Sequence, residues 1–233
     1  MTWTTLLTEI FDLISPRSCA VCGDTLQATE SVVCGVCHLR MPQTDFGKNP
    51  YDNPMARLFW GQFPIEKAAA YFYYIPHSDT SRLIYHLKYH HQPEIGENMG
   101  RMTANALKPY RFFDDIDAIV PIPITGRRLR QRGYNQSMEI ACGISEATQL
   151  PILKKAVRRI QFDTSQTRMK GWQRKENVRD AFQMLTPEAV EGKHLLLVDD
   201  IVTTGSTVIA CAQELCKAGD VRFSVVSLGF TKK

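Results

Sequence analysis

One run of thirteen residues, 195–207 (LLLVDDIVTTGST), constrains this chain more than any other. Leu195, Leu196, Leu197 and Val198 form an apolar stretch too continuous for a half-exposed strand, so it reads as a strand buried on both faces. Two adjacent carboxylates, Asp199 and Asp200, stand at its carboxyl end. A loop of small hydroxyl residues follows around one glycine: Thr203, Thr204, Gly205, Ser206 and Thr207. Val208, Ile209, Ala212, Leu215 and Cys216 then recur at helical spacing, and Gly219 supplies a stop. The unit is strand, anion cradle, helix. Backbone N–H groups of 203–207 are expected to converge on a phosphate at the helix amino end, where the dipole favours negative charge. Gly205 permits the close approach or positive φ such a loop needs, and the four hydroxyls add donors. The carboxylates repel a phosphate, so their partners are hydroxyls or a divalent metal. A ribose 5-phosphate offers both a phosphate and a diol.

Other uses of such a run fit less well. A P-loop needs a Gly-Lys-Ser/Thr ending, and no such Lys is present. A response-regulator receiver carries its acidic pair after the first strand, whereas here too little chain follows Asp200. A plain helix cap needs one hydroxyl residue, not four.

The chain has 233 residues, enough for one ordinary domain and a small module. With 44% hydrophobic and 22% charged residues its composition is that of a soluble globular protein, and a net charge of +4 allows an acidic partner without demanding one. No apolar run is long enough for a membrane span. The amino end lacks Lys or Arg before Arg17, and Glu9 and Asp12 interrupt its apolar run, so it is a poor secretory signal and the expected location is cytoplasmic. An apolar stripe over 3–14 predicts a short helix packed on the body.

Cys19 and Cys22 are separated by two residues, as are Cys34 and Cys37. Each pair can form a tight knuckle aiming two sulfurs at one point, and two knuckles make a tetrahedral sulfur site suited to structural zinc. Paired disulfides and an iron–sulfur cluster are the alternatives. Seven cysteines in all argue against a disulfide framework. Cys142, Cys211 and Cys216 lie in apolar helical patterns and read as core thiols.

The stretch 41–64 is rich in Pro, Asn and Gly and reads as a linker or cover, with Phe59, Trp60 and Phe63 packing back on the body. A strand is expected over 68–75. A helix follows, capped by Ser78 or Asp79 and ending in Lys88, His90 and His91, whose cations suit a helix carboxyl end. A second helix is expected over 94–107 and a strand over 116–124. Arg127, Arg128, Arg130 and Arg132 come next, before Gly133, Tyr134, Asn135 and Gln136; four Arg at a Gly-opened turn suit an anion, with a solvated basic face as the alternative. From 154 to 180 there are nine basic residues and three acids. Within it, 161–171 has no period and reads as a loop. Strands are expected at 182–185 and 221–230. Alternating strands and helices predict a mainly parallel sheet with ligands at its carboxyl edge.

The acidic pair followed by Thr-Thr-Gly-Ser-Thr resembles the phosphoribosyl pyrophosphate (PRPP) loop of type I phosphoribosyltransferases. The whole order resembles the competence-associated ComF family: four Cys, a helix ending in Lys88, the Pro-Ile-Pro strand, Arg-Gly-Tyr-Asn-Gln, Gln166-Thr167, Arg174 with Asn177, then the loop. The resemblance implies an α/β fold with a mainly parallel sheet of type I phosphoribosyltransferase kind, preceded by a small four-Cys zinc module. The division it implies is 1–45 for the amino-terminal helix and zinc-binding module, 46–66 for the linker or cover, and 67–233 for the phosphoribosyltransferase-like domain. By analogy Asp199 and Asp200 hold the ribose diol or act in catalysis, 203–207 binds the 5-phosphate, and Arg127, Arg128, Arg132 and Gly133 bind pyrophosphate with Mg2+. The region 161–177 is then the loop that covers the site, and Lys170, Trp172, Arg174 and Lys175 are its candidates for nucleic-acid contact. The implied function is a PRPP-binding, phosphoribosyltransferase-like protein acting in natural transformation, with single-stranded DNA and DNA-uptake proteins as partners. The alternative is a true phosphoribosyltransferase moving ribose 5-phosphate from PRPP to a nitrogen acceptor in nucleotide metabolism.

Overall fold

The computed structural model describes residues 17–160 and 181–231. The expected helix over 3–14 and the region 161–177, with Lys170, Trp172, Arg174 and Lys175, lie outside the described residues. Six strands and six α-helices of six or more residues organise the described chain. The strands are β1 (Ile65–Tyr74), β2 (Ala118–Pro121), β3 (Val157–Arg159), β4 (Phe182–Met184), β5 (His194–Val202) and β6 (Arg222–Thr231). The helices are α1 (Gly35–Arg40), α2 (Asp79–Tyr89), α3 (Pro93–Leu107), α4 (Gly126–Arg132), α5 (Gln136–Thr148) and α6 (Ser206–Leu215).

The fold is α/β, with a four-stranded sheet in the order β1-β6-β5-β2 and every neighbouring pair parallel. Its centre follows from residue type. Leu195 to Val198 on β5 and Val225, Val226 and Leu228 on β6 are fully buried, as a sheet covered on both faces requires. β2 is shorter than the expected strand over 116–124, because Pro121 and Pro123 lack the N–H that a longer ladder would use. β5 is longer than its apolar run: Asp199 pairs with Ser227 and Ile201 with Gly229, so both carboxylates lie inside the strand. β3 and β4 form a separate antiparallel pair whose register joins Val157 to Met184 and Arg159 to Phe182.

α3 and α5 pack backbone to backbone. A Cβ on Gly100 would stand 2.2 Å from the Ile140 carbonyl oxygen, and one on Gly143 would stand 1.9 Å from that of Glu97. Only glycine allows this approach, and it sets α5 firmly beside β5.

The stretch 41–64 packs closely, as expected for its aromatic residues. Met55 and Phe59 are fully buried and Phe63 nearly so, while Trp60 is half exposed. Asn53 explains the course of this irregular segment: its Nδ2 donates to the carbonyls of Asn49 and Ala68, and its Oδ1 accepts from the N–H groups of Met55 and Ala56. The Cys-bearing residues join the body through His38 Nε2 and the Tyr71 hydroxyl, 2.7 Å apart, and through a bridge between Gln43 and Phe72.

Candidate functional site

The strand order puts a reversal between β2 and β5. From β5 the chain crosses through α6 to β6 on one side, while β2 makes its other contact with Ile152 on the far side. A crevice outside the carboxyl ends of two such strands is the usual ligand position in open α/β sheets. The acid-bearing end of β5, the 203–207 loop and α4 all lie there.

Gly205 has φ +75° and immediately precedes α6, whose first N–H groups are left free of intrahelical partners. Thr203, Thr204 and Ser206 are exposed and Thr207 half-buried, with Thr204 Oγ1 3.2 Å from Ser206 Oγ. Thr203, Gly205, Ser206 and Thr207, together with Asp199, line a small concavity. Gly205 itself is buried at the edge of the concavity, and an added Cβ would point to the Phe59 ring, 2.8 Å from its Cε1. The glycine is required by its φ and by the ring beneath it, not because a side chain there would fill the cradle.

Asp199 accepts from Ser137 Oγ at 3.2 Å and from the Asp200 N–H at 2.9 Å, both through Oδ1. Burial, reinforced by the neighbouring Asp200 carboxylate, pushes its carboxyl up to about 7. Asp200 pairs through Oδ2 with Lys88 Nζ at 2.9 Å, and both side chains are mostly buried. Lys88 thus belongs to the site. Sequence reasoning assigns it to the helix dipole, which does account for the exposed His90 and His91 beyond it.

Arg127 and Arg128 are exposed on α4, whose amino end is capped by Thr125 Oγ1 accepting from the Arg128 N–H. The following motif has a local reason at each residue. Gly133, at φ +81°, ends α4. The Tyr134 hydroxyl donates to the Leu87 carbonyl at the end of α2. Asn135 caps α5 through Oδ1 and donates from Nδ2 to the Ile122 carbonyl. Gln136, buried, accepts from Arg132 at 2.8 Å, so Arg132 is held half-buried against α5 rather than free like Arg127 and Arg128.

Sequence reasoning misses one cation. Arg159, at the end of β3, lies with its guanidinium 5.2 Å from the Phe182 ring centre. Burial and then Arg128 press its pKa below the usual guanidinium range, while Asp199 acts in the opposite sense. At the end of β3, Arg159 therefore feels the charges of both Arg128 and Asp199. Among the described residues neither Arg128 nor Arg159 has an ion-pair partner. An exposed guanidinium and a partly buried one that repel each other are relieved by an anion between them.

The second cluster is sulfur. One atom from each of Cys19, Cys22, Cys34 and Cys37 lies within 4.8 Å of the others, and Cys22 Sγ and Cys34 Sγ are 3.8 Å apart. A tetrahedral zinc with four thiolates requires sulfur separations of about 3.8 Å. The local fold supplies donors to sulfur: Val21 N–H and Cys34 N–H to Cys19, and Cys37 N–H to Cys34. Burial opposes the Cys19 thiolate, but the backbone donors outweigh it and hold the group down at about 7. Burial pushes the Cys37 thiol up. Four thiolates this close need a cation among them, so the donor set fits a metal such as zinc. Glu30 braces the second knuckle, accepting from Gln27 N–H and Gly35 N–H.

Among the described residues no helix is long and apolar enough to cross a membrane. No family profile matches the chain. It is similar to the DNA utilization protein YhgH of Escherichia coli (strain K12), 29% identical over 204 residues covering 86% of this chain and 85% of that protein. It is also similar to Competence protein F of Haemophilus influenzae, 28% identical over 143 residues covering 60% and 62% of the two chains. These relatives bear out the ComF-type resemblance. Solved structures similar to it include the allosteric regulatory enzyme of purine biosynthesis, with TM-score 0.38, 22% identity and coverage of 58% of this chain and 25% of that one. Leishmania donovani UMP synthase is a second, with TM-score 0.34, 20% identity and coverage of 63% and 23%. The chain spans about a quarter of the length of each of these two structures.

Proposed function

We propose that this chain, a relative of the ComF-type competence proteins, binds PRPP in the crevice between β2 and β5 and acts on incoming single-stranded DNA. The observation that carries the first half is the gathering of three unlike groups at one sheet edge: an acidic pair, a helix amino end fronted by hydroxyls, and two arginines without acidic partners among the described residues. Each matches one part of PRPP. The 5-phosphate goes to the N–H groups and hydroxyls of 203–207, the ribose diol to Asp199 and Asp200, and the pyrophosphate to Arg127, Arg128 and Arg159. Arg132 and Gly133 shape that turn. The DNA half rests on what the relatives are named for.

Mg2+, where bound with PRPP, would be held beside Asp199 and Asp200 and would neutralise pyrophosphate charge. The chain's own task is positioning. Ser137 and the Asp200 N–H fix the Asp199 carboxylate, and Lys88 holds Asp200 until a diol takes its place. The four cysteines would hold a structural zinc.

The test is calorimetric titration with Mg2+ and either PRPP or ribose 5-phosphate. The parent should bind both, and Arg128→Ala and Arg159→Ala should weaken PRPP binding tenfold or more while leaving ribose 5-phosphate little changed. Equal losses for the two ligands would remove these arginines from the pyrophosphate site, and no binding of either ligand would end the reading. Release of pyrophosphate with a nitrogen base as acceptor, in the same preparation, would favour the true-transferase alternative.

A further inference from the structure

An open cleft of about 690 Å³ runs along α2 and the end of β1, lined by Tyr74, His77, Arg82, Tyr85, Lys88 and Tyr89 among others. The buried side of α2 is Leu83, Ile84 and Leu87; its outer face carries rings instead. Tyr85 and Tyr89 are 55% and 51% exposed, one helical turn apart, with ring centres 5.0 Å from each other. His86 and His90 stack beside them at 4.2 Å. Among the described residues, the buried contacts of α2 are made by Thr80, Leu83, Ile84 and Leu87, not by this face. Cations frame it. The Arg132 guanidinium lies 5.4 Å from the Tyr89 ring centre, Arg82 is exposed towards the amino end, and Lys88 stands between cleft and acidic pair. The acids near it are engaged: Asp79 with Arg82 at 3.8 Å and Asp200 with Lys88.

We propose that this outer face of α2 is a stacking platform for the bases of single-stranded DNA, leading from the four-Cys module to the crevice. Solvent-exposed rings with cations at their edges are the means by which a protein holds a strand of any sequence: each base offers a π-face, and the backbone offers phosphates. A duplex hides those faces. The helix has eleven residues, about 16 Å of length, which accommodates a few nucleotides. Its ends touch the two other special regions of the molecule, since Arg82 reaches the Val21 carbonyl beside the cysteines at 3.5 Å and Lys88 reaches Asp200. The choice of DNA as the strand rests on the function proposed above; the platform rests on the rings and cations.

The experiment is salt-titrated fluorescence anisotropy with a labelled oligothymidine, a sugar–phosphate strand lacking bases, and a duplex. PRPP calorimetry on the same proteins runs in parallel. Tyr85→Ala and Tyr89→Ala should each weaken oligothymidine binding about tenfold without changing the salt slope, because rings and not charges are lost. Tyr85→Phe and Tyr89→Phe should bind like the parent, and the strand without bases should not distinguish parent from Ala variants. PRPP affinity should be unchanged in both Tyr85 variants and in Tyr89→Phe. Parent-like oligothymidine binding by the Tyr85→Ala/Tyr89→Ala double variant overturns the platform while leaving the DNA function standing. A parent that binds no strand overturns both, and the PRPP titration then shows whether the nucleotide-sugar site survives alone. Concentration-dependent dimerisation of the parent that the double variant abolishes would assign the face to a second copy of the chain and overturn the proposal.

Discussion

Replacing Asp199 by asparagine should stabilise the protein at alkaline pH while removing its proposed ligand site. The isosteric amide keeps an oxygen where Ser137 Oγ and the Asp200 N–H donate. What it removes is a charge that burial and Asp200 make costly, as shown by a carboxyl raised from 3.8 to about 7. The folded state therefore holds a proton that the unfolded chain releases between about pH 4 and pH 7. Stability consequently falls as pH rises through that window. Below it both states are protonated and there is no penalty; above it the full penalty applies. About three units at 1.36 kcal/mol each set an upper bound of about 4 kcal/mol. The substituted amide would itself be a neutral dipole in the same place, and Lys88 would still serve Asp200, so a gain of roughly 2 kcal/mol at pH 8 is expected. Urea unfolding of parent and Asp199→Asn in magnesium-free buffer, at steps from about pH 4.5 to about pH 8.5, measures it directly. The two stability curves should approach one another at the acid end and separate through neutrality. A variant whose difference from the parent is the same at acid and alkaline pH, or that is the less stable of the two at alkaline pH, would refute the electrostatic account.

Three further outcomes are expected. Protein purified without added metal should carry one zinc per chain by elemental analysis, and Cys34→Ser should lose it and unfold residues near 19–40 while the parallel sheet stays folded by circular dichroism. Gly205→Ala should cost about 1–2 kcal/mol for its positive φ plus about 1–3 for the collision with Phe59, and combining it with Phe59→Leu should recover the second part only; additive losses in the urea-unfolding cycle would show that the ring does not limit this position. Gly100→Ala should force α3 and α5 apart and lower Tm by several degrees, about 2–4 °C per kcal/mol in a chain of this size, and an unchanged Tm would mean that the helices are not held at backbone contact.

The parts of this architecture that are local in sequence can be read from it, and the parts made by distant residues cannot. The 195–207 run announces itself because strand, acids, loop glycine and helix succeed one another without interruption. The two Cys pairs do the same, since a knuckle is a four-residue object. Lys88 and Asp200 are separated by more than a hundred residues, and no period or spacing connects them. Arg159 counts within a basic stretch but does not stand out from it, because only the antiparallel pairing of β3 with β4 aims it towards Arg128 and Asp199. Phe59 is expected to pack, yet its partner, the Cα of Gly205, is invisible until the fold is known. Gly96 and Gly100 at four-residue spacing on one helix, opposite Gly143 on another, are a signal for close helix contact that the sequence does offer and that sequence reasoning here passes over.

The case of Lys88 shows where a generic explanation stops. Cations at a helix carboxyl end are favoured by its dipole whatever else is nearby, and that suffices for His90 and His91, which remain in water. It does not suffice for Lys88, because a dipole worth a fraction of a kcal/mol at an exposed site gives no reason to bury an ammonium group. Burial needs a partner, and Asp200 at 2.9 Å supplies it. The same pairing explains how two adjacent carboxylates are tolerated inside a strand: one is neutralised by Lys88, and the other is left with a carboxyl that releases its proton only near neutrality. A diol that hydrogen-bonds to Asp200 competes with Lys88 for the same oxygen. Filling the crevice should therefore free an ammonium group at its edge, next to the place where the pyrophosphate of PRPP would lie and at the inner end of the aromatic cleft on α2.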